Sequence, residues 1–364
     1  MDHGRTLLVG TVLIVVALLA ASCGDDGGTP TGGGDAVSPA DTEQADCTPS
    51  RSPEPGTERM TLDHDGEIRE FDLSVPEGYD GSIAAPLVVD MHGFTATIED
   101  QTLLSDMPQA AGERGYLVAT PQALPTPLPV GDGGEFIFWN VTPVTDGGEA
   151  EVEGGLDAAD DLGFIEAMVS TIERDLCVDG DRVYAAGMSN GGGMAVTLAC
   201  STSDRYAAVA PVASVNMTTS CPATTPIATI AFHGDADPLV DYEGGVVADF
   251  ELGNPGVQDR MAELAALGGC DAEPTTTEPF DDVVVDVWPN CEPGIDVELY
   301  TVLDGGHTWP GVTTYRSEDE LAPDDDDDAL ADDSGEAVAA AGHETTNIVA
   351  TDLALDFFDA HPRG

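Results

Sequence analysis

The stretch Tyr184–Ala195 reads YAAGMSNGGGMA, a single serine set among glycines, with a β-rich run before it and a helix-like run after it. A flexible loop has no need of Gly two residues before and two residues after one fixed Ser. A sharp strand-to-helix turn does. There the positions flanking the serine nearly touch, and the serine itself is held at strained backbone angles with its hydroxyl exposed. Gly187-Met188-Ser189-Asn190-Gly191 fits G-x-S-x-G, the nucleophile elbow. The motif alone is a weak signal, so the surrounding elements must support it.

They alternate. Strands near Arg59–His64 and Ile68–Val75, joined through DHDG, read as a hairpin. APLVVDMHG is a buried strand ending in a loop, QTLLSDMPQAAGERG a helix in spite of Pro108, and YLVATP the next strand. DLGFIEAMVSTIERDL carries Leu162, Ile165, Val169 and Ile172 on one face and reads as a helix packed on a sheet. RVYAAGMS is a strand, GGGMAVTLAC a helix, and YAAVAPVAS and PIATIAFHG are strands. A helix around Val257–Leu267, a strand in IDVELYTVL and a closing helix in NIVATDLALDFFDAH complete the order. This alternation predicts one α/β domain over residues 57–364, with a mostly parallel sheet and helices on both faces. An acidic surface insert is expected at 313–342.

A serine hydroxyl needs an imidazole to take its proton and a carboxylate to orient that imidazole. In this arrangement the chain order is Ser, acid, His. Three aspartates follow the strand PIATIAFHG: Asp235, Asp237 and Asp241. Asp237 is preferred, since the HGxxD spacing suits one carboxylate projected from the strand's end. His307, in LDGGHTWPG after the last strand, is the candidate base. His343 and His361 have no strand to position them, and His233 reads as a hydrogen-bonded strand-end residue. Two backbone N–H groups must meet the oxyanion of an attacked carbonyl, and Asn190 and Phe94 are the candidates. His92 is read as a structural histidine shaping the second loop. Phe94, Trp139 and Trp309 are candidate aromatics lining the acyl or alcohol pocket, the two tryptophans as substrate-binding residues.

Together GMSNGGGMA, AAVAPVAS, FHGDADPLVDYEGG, GGHTWPG and the late DFF resemble the secreted bacterial esterases that include poly(3-hydroxybutyrate) depolymerases and feruloyl or acetyl-xylan esterases. The resemblance spans roughly Thr57 to Pro362. It implies the α/β-hydrolase fold and carboxylic-ester hydrolysis with Ser189, Asp237 and His307 as triad. The implied partner is an ester substrate, either an aromatic-acid ester or a hydroxyalkanoate oligomer or polymer. A serine peptidase of the same fold and a non-catalytic binding lipoprotein are the competing readings.

Composition narrows the remaining classes. Eleven Lys+Arg, every one an arginine, stand against 69 Asp+Glu for a net charge of −58. So negative a surface repels nucleic acid and anionic lipid, and lysine chemistry is excluded. Adaptation to salt and inherited compositional bias both account for the acidity. The run Asp324–Asp328 lacks the turn glycine and terminal Glu of a calcium loop and reads as solvated. No metal or cofactor is expected.

The apolar stretch Leu7–Ala21 is short for a membrane span and reads as a signal peptide covering residues 1–22. LLAASC resembles a lipobox, which makes Cys23 a candidate lipidation site. Residues 23–56 follow as an acidic, Gly- and Pro-rich tether. The protein is expected to be exported and held on the outer face of the membrane by lipid alone, or secreted if Cys23 is unmodified. Removing Cys23 from the seven cysteines leaves an even set. Sequence proximity favours Cys270–Cys291 and Cys200–Cys221, which leaves Cys47 for Cys177.

Overall fold

Side chains alternate between the two faces of a strand, so a strand buried on both faces presents one hydrophobic set to each layer of helices. The central strands of this protein do so. In the computed structural model, which describes residues 49–50, 54–128, 134–141, 159–202, 204–218, 226–247, 250–251, 253–312 and 342–363, Val183 and Ala185 face one core. Tyr184 and Ala186 face the other.

The element order is β1 (Gly56–His64), β2 (Glu67–Val75), β3 (Ala85–Met91), α1 (Ile98–Ser105), α2 (Met107–Glu113), β4 (Leu117–Pro121), β5 (Pro125–Leu128) and β6 (Gly134–Ile137). Next come α3 (Asp161–Asp175), β7 (Val178–Met188), α4 (Asn190–Ser201), β8 (Ala208–Val212), β9 (Ala228–Gly234), β10 (Val246–Val247) and β11 (Phe250–Glu251). The chain continues through α5 (Val257–Leu267), β12 (Thr275–Phe280), β13 (Val283–Trp288), β14 (Val297–Val302) and α6 (Ala350–Ala360).

Ten strands form one sheet in the order β1-β2-β4-β3-β7-β8-β9-β14-β13-β12. From β4 to β14 neighbouring strands run parallel, and both edges are antiparallel. Side chains of α3 and α4 pack on one face, and those of α2 and α6 on the other. This is the α/β-hydrolase fold expected from the sequence. Parallel strands point their C-terminal ends to one edge, where ligands bind in open α/β sheets.

Three local features depart from expectation. The helix expected across Pro108 is two helices, α1 and α2, separated by Asp106 in the left-handed region at φ 50°. Pro108 lies in the first turn of α2, where a missing N–H leaves no helical bond unmade. The hairpins β5/β6 and β12/β13 were not anticipated. In the second of these the β-branched runs TTT and VVV flank an Asp281-Asp282 turn, a signal that was there to be read.

Cys270 and Cys291 are joined in a disulfide. Cys177 and Cys200 are each disulfide-bonded as well, while Cys47 and Cys221, the partners expected for them, lie outside the described residues. So do the signal segment 1–22, Cys23, nearly all of the 23–56 tether and the acidic insert up to residue 341. Among the described residues no helix is long and apolar enough to cross a membrane.

Candidate active site

Ser189 sits between β7 and α4 at φ 54°, ψ −121°, strained for a residue with a side chain. The glycines around it explain the opening motif. A Cβ on Gly187 would lie 2.6 Å from the Gly191 carbonyl carbon, and one on Gly191 would lie 2.1 Å from the Met91 oxygen. A Cβ on Gly192 would meet Ser214 Oγ at 2.1 Å and the Gly187 oxygen at 2.7 Å. Backbone therefore crosses backbone at the turn, and β3 presses against it from the side. Gly193, with its nearest contact at 3.2 Å, is under less constraint.

Asp237 follows β9 and is buried. Its Oδ1 accepts the backbone N–H groups of Leu239 and Val240 at 2.8 and 2.9 Å, and its Oδ2 accepts Nδ1–H of His307 at 2.7 Å. Burial alone would push its pKa up. Hydrogen bonds from His233 and His307 outweigh that and hold the carboxylate well below the usual range. Asp235 and Asp241 are exposed, and Asp241 instead caps the amide of Glu243.

The loops bearing acid and histidine are joined through their backbones. Asp235 N–H donates to the Val302 oxygen and Ala236 N–H to the Gly305 oxygen, each at 3.0 Å. Gly234 permits that approach, since a Cβ there would lie 2.2 Å from the Gly305 oxygen. His307 donates from Nδ1, which leaves Nε2 as its basic face. Among the described residues the Ser189 hydroxyl and His307 are not hydrogen-bonded to each other, His307 being bonded to Asp237. Such contacts commonly tighten only in the substrate complex.

The other histidines have separate partners. His233 Nε2 donates to the Val240 oxygen at 2.9 Å and lies 3.4 Å from Asp237 Oδ2. His343 pairs with Asp282 and His361 with Asp296. His92 is fully buried, and burial drives its pKa down to about 4. Its Nδ1 donates to the Gly93 oxygen, while Nε2 accepts from Ala123 N–H and the Gln122 amide. It is a neutral strut under the Gly93–Phe94 loop, in line with the structural reading.

A Cβ placed on Gly93 would lie 3.5 Å from Ser189 Cβ, so this loop borders the serine directly. Asn190 opens α4, where the first amides have no helical acceptor. Among the described residues neither Phe94 N–H nor Asn190 N–H is hydrogen-bonded.

Both tryptophans require correction as substrate contacts. Trp139 is 0% exposed and Trp309 1%. Trp139 clasps the Asn190 side chain at two points, its N–H donating to Oδ1 at 2.6 Å and its oxygen accepting from Nδ2 at 3.1 Å. Its indole N–H donates to the His92 oxygen at 2.9 Å, so one residue ties together the two segments that carry the free amides. Behind it, Asn140 N–H donates to Asp161, which is in turn paired with buried Arg69 at 2.6 Å. Trp309 donates to Thr351 Oγ1, whose own hydroxyl donates to the Ser105 oxygen, anchoring the histidine loop on α6 and α1.

Sequence reasoning passed over Phe136 and Phe138. In the FIFWN run, Ile137 and Trp139 pack into the core, and the alternate residues turn the other way to meet Phe94. The period-2 alternation was the available signal.

Residues 143–262 match the family described as Esterase PHB depolymerase, a span that holds the elbow and Asp237 and ends before His307. The chain is 30% identical over 249 residues to Feruloyl esterase B of Piromyces equi, covering 66% of this chain and 42% of that protein. It is 28% identical over 206 residues to Probable feruloyl esterase C of Aspergillus terreus, covering 55% of this chain and 65% of that one. The chain thus spans less than two thirds of the length of either relative. Among solved structures, the Acetyl xylan esterase from Aspergillus awamori is 17% identical with a TM-score of 0.47, covering 70% of this chain and 94% of that one. The ordered motifs and the sequence matches together make this chain similar to the Esterase PHB depolymerase family over residues 143–262 and to a named feruloyl esterase over 249 residues.

Proposed function

We propose that the chain is an exported serine esterase that hydrolyses carboxylic esters through Ser189, His307 and Asp237. One observation carries this reading. His307 Nδ1 is bonded at 2.7 Å to a buried aspartate on the sheet edge that also bears the elbow serine. That bond fixes the tautomer in which Nε2 accepts a proton.

Ser189 Oγ attacks the ester carbonyl carbon as Nε2 takes its proton, and the carbonyl oxygen gains the charge. The amides of Phe94 and Asn190 receive that oxyanion, aided by the N-terminal end of α4. Collapse breaks the carbon–oxygen bond to the alcohol, which leaves with the proton from His307. Water then attacks the acyl-serine by the same route, releasing the acid and restoring the hydroxyl. Asp237 stays ionised throughout and stabilises the imidazolium.

The domain at 57–364 is proposed to carry this chemistry outside the cell, on the 23–56 tether, with Cys23 lipidated after removal of 1–22. Cys23→Ala should move the protein from membranes to medium; wild-type protein found only in the medium would refute lipidation.

A fluorophosphonate probe should label the wild type and leave Ser189→Ala unlabelled. No labelling of the wild type would overturn the reading in favour of a binding lipoprotein. Hydrolysis of peptide substrates without hydrolysis of p-nitrophenyl butyrate would instead indicate a peptidase. Methyl ferulate, acetylated xylan and hydroxybutyrate oligomers, assayed together, identify the natural ester class.

A further inference from the structure

We propose that Phe94, Phe136 and Phe138 form the platform that receives an uncharged apolar or aromatic group of the ester, and so set substrate selectivity. This rests on the esterase reading above.

Phe94 is 45% exposed, and Phe136 and Phe138 are half-buried. The Phe94 ring stacks on Phe136, with centroids 5.6 Å apart and planes 21° apart, and lies 5.9 Å from Phe138. Burial of such rings is strongly favourable, so an open aromatic cluster on so acidic a protein calls for an occupant. Its position identifies that occupant. The backbone amide of Phe94 is one of the two candidate oxyanion donors, and Thr95 N–H donates to the Ile137 oxygen at 2.7 Å. The elbow-bordering loop and the end of β6 are therefore joined side by side, and the platform they carry stands on the loop that borders Ser189.

Charge argues for a neutral group. Every arginine among the described residues already has a carboxylate partner. None of these described arginines stands unpaired to receive a carboxylate on the substrate, and the surrounding field opposes one.

The test compares kcat/KM for methyl 3-phenylpropanoate and phenyl acetate, each divided by that for methyl acetate, in protein first shown to react with the fluorophosphonate probe. In Phe94→Ala and in Phe138→Ala at least one ratio should fall about tenfold, the scale of losing apolar contact in a pocket. Leu103→Ala, an exposed apolar residue on α1, should leave both ratios as in the wild type. Phe138→Leu keeps most of the apolar volume while removing the ring, and it should lower the same ratio about threefold even if an alanine variant fails to fold. Both ratios staying within about twofold of wild type in the phenylalanine variants would overturn the platform alone. Wild type that does not react with the probe would overturn the esterase reading and the platform with it.

Discussion

Asp90, on β3 two residues before His92, is fully buried on the face covered by α1 and α2. Its carboxylate accepts the Gln101 amide at 2.7 Å and the Ser105 hydroxyl at 2.6 Å. Burial raises its pKa to about 7 from the ordinary 3.8, and those two hydrogen bonds offset only part of the effect. The folded protein therefore holds a proton between these values that the unfolded chain has released. Its contribution to stability is complete below about pH 4, is lost as pH rises towards 7, and is flat beyond. At about 1.4 kcal/mol per pH unit, the loss is about 4 kcal/mol by pH 8, of which about 3 kcal/mol falls above pH 5. Asp90→Asn is near-isosteric and neutral throughout. Whatever fixed cost its amide incurs against Ser105, its stability relative to the wild type should improve by about 3 kcal/mol between pH 5 and pH 8. Urea midpoints of both proteins at the two pH values measure this directly, and general acid–acid repulsion cancels in the comparison. A mutational difference that is the same at both pH values within about 0.5 kcal/mol would refute the buried, uncompensated carboxylate.

Other perturbations address the site and the surface. Trp139→Phe keeps an aromatic ring but removes the indole N–H and orphans the His92 oxygen; kcat of the proposed ester hydrolysis should fall about tenfold, as expected for one lost buried hydrogen bond of about 1–3 kcal/mol, with KM nearly unchanged. An unaltered kcat in steady-state assays would detach the indole from the amides. Gly191→Ala places a methyl 2.1 Å from the Met91 oxygen and should abolish soluble, probe-reactive protein, whereas Gly193→Ala should be tolerated, as gel-filtration and labelling of the two variants will reveal. Molar NaCl should raise the thermal midpoint by screening the excess of carboxylates, and a midpoint that does not move from low to molar salt would remove salt adaptation as the reason for the composition.

Periodicity and glycine placement made the sheet legible in the sequence. The helix read around Val257–Leu267 is α5, and Ser189, Asp237 and His307, read at strand ends from their motifs and the order of elements, follow β7, β9 and β14. What was missed has physical causes. Pro108 was read as tolerated inside a helix, yet proline is tolerated where a helix begins, and the chain starts a new one there. Trp139 and Trp309 were read by chemistry and proximity to the site, but a large indole beside a catalytic loop is also the best available strut. Its N–H needs a partner when buried, and both found one, the His92 oxygen and Thr351. Asp90 sat in a run of apolar residues, where nothing in the local pattern distinguishes a buried carboxylate from one at a strand's end.

The same distinction between near the site and in it bears on the acidity. A chain with no lysine must draw every structural cation from its few arginines, and the described ones are held in ion pairs, two of them buried: Arg69 against Asp161, and Arg260 between Glu263 and the Thr218 oxygen. Removing one partner of such a pair leaves an uncompensated buried charge, so these arginines are not free to exchange roles with a substrate. On the proposed esterase reading, the described residues offer recognition at Ser189 two means: backbone amides for charge that develops during the reaction and aromatic surface for the rest. Amides turned towards the developing oxyanion serve the transition state more than the neutral ground state. The three phenylalanines carry no charge that salt could screen. An esterase built this way should keep its selectivity among neutral esters from low to molar salt even as its stability changes, because the forces that choose the substrate are not those that the ionic strength adjusts.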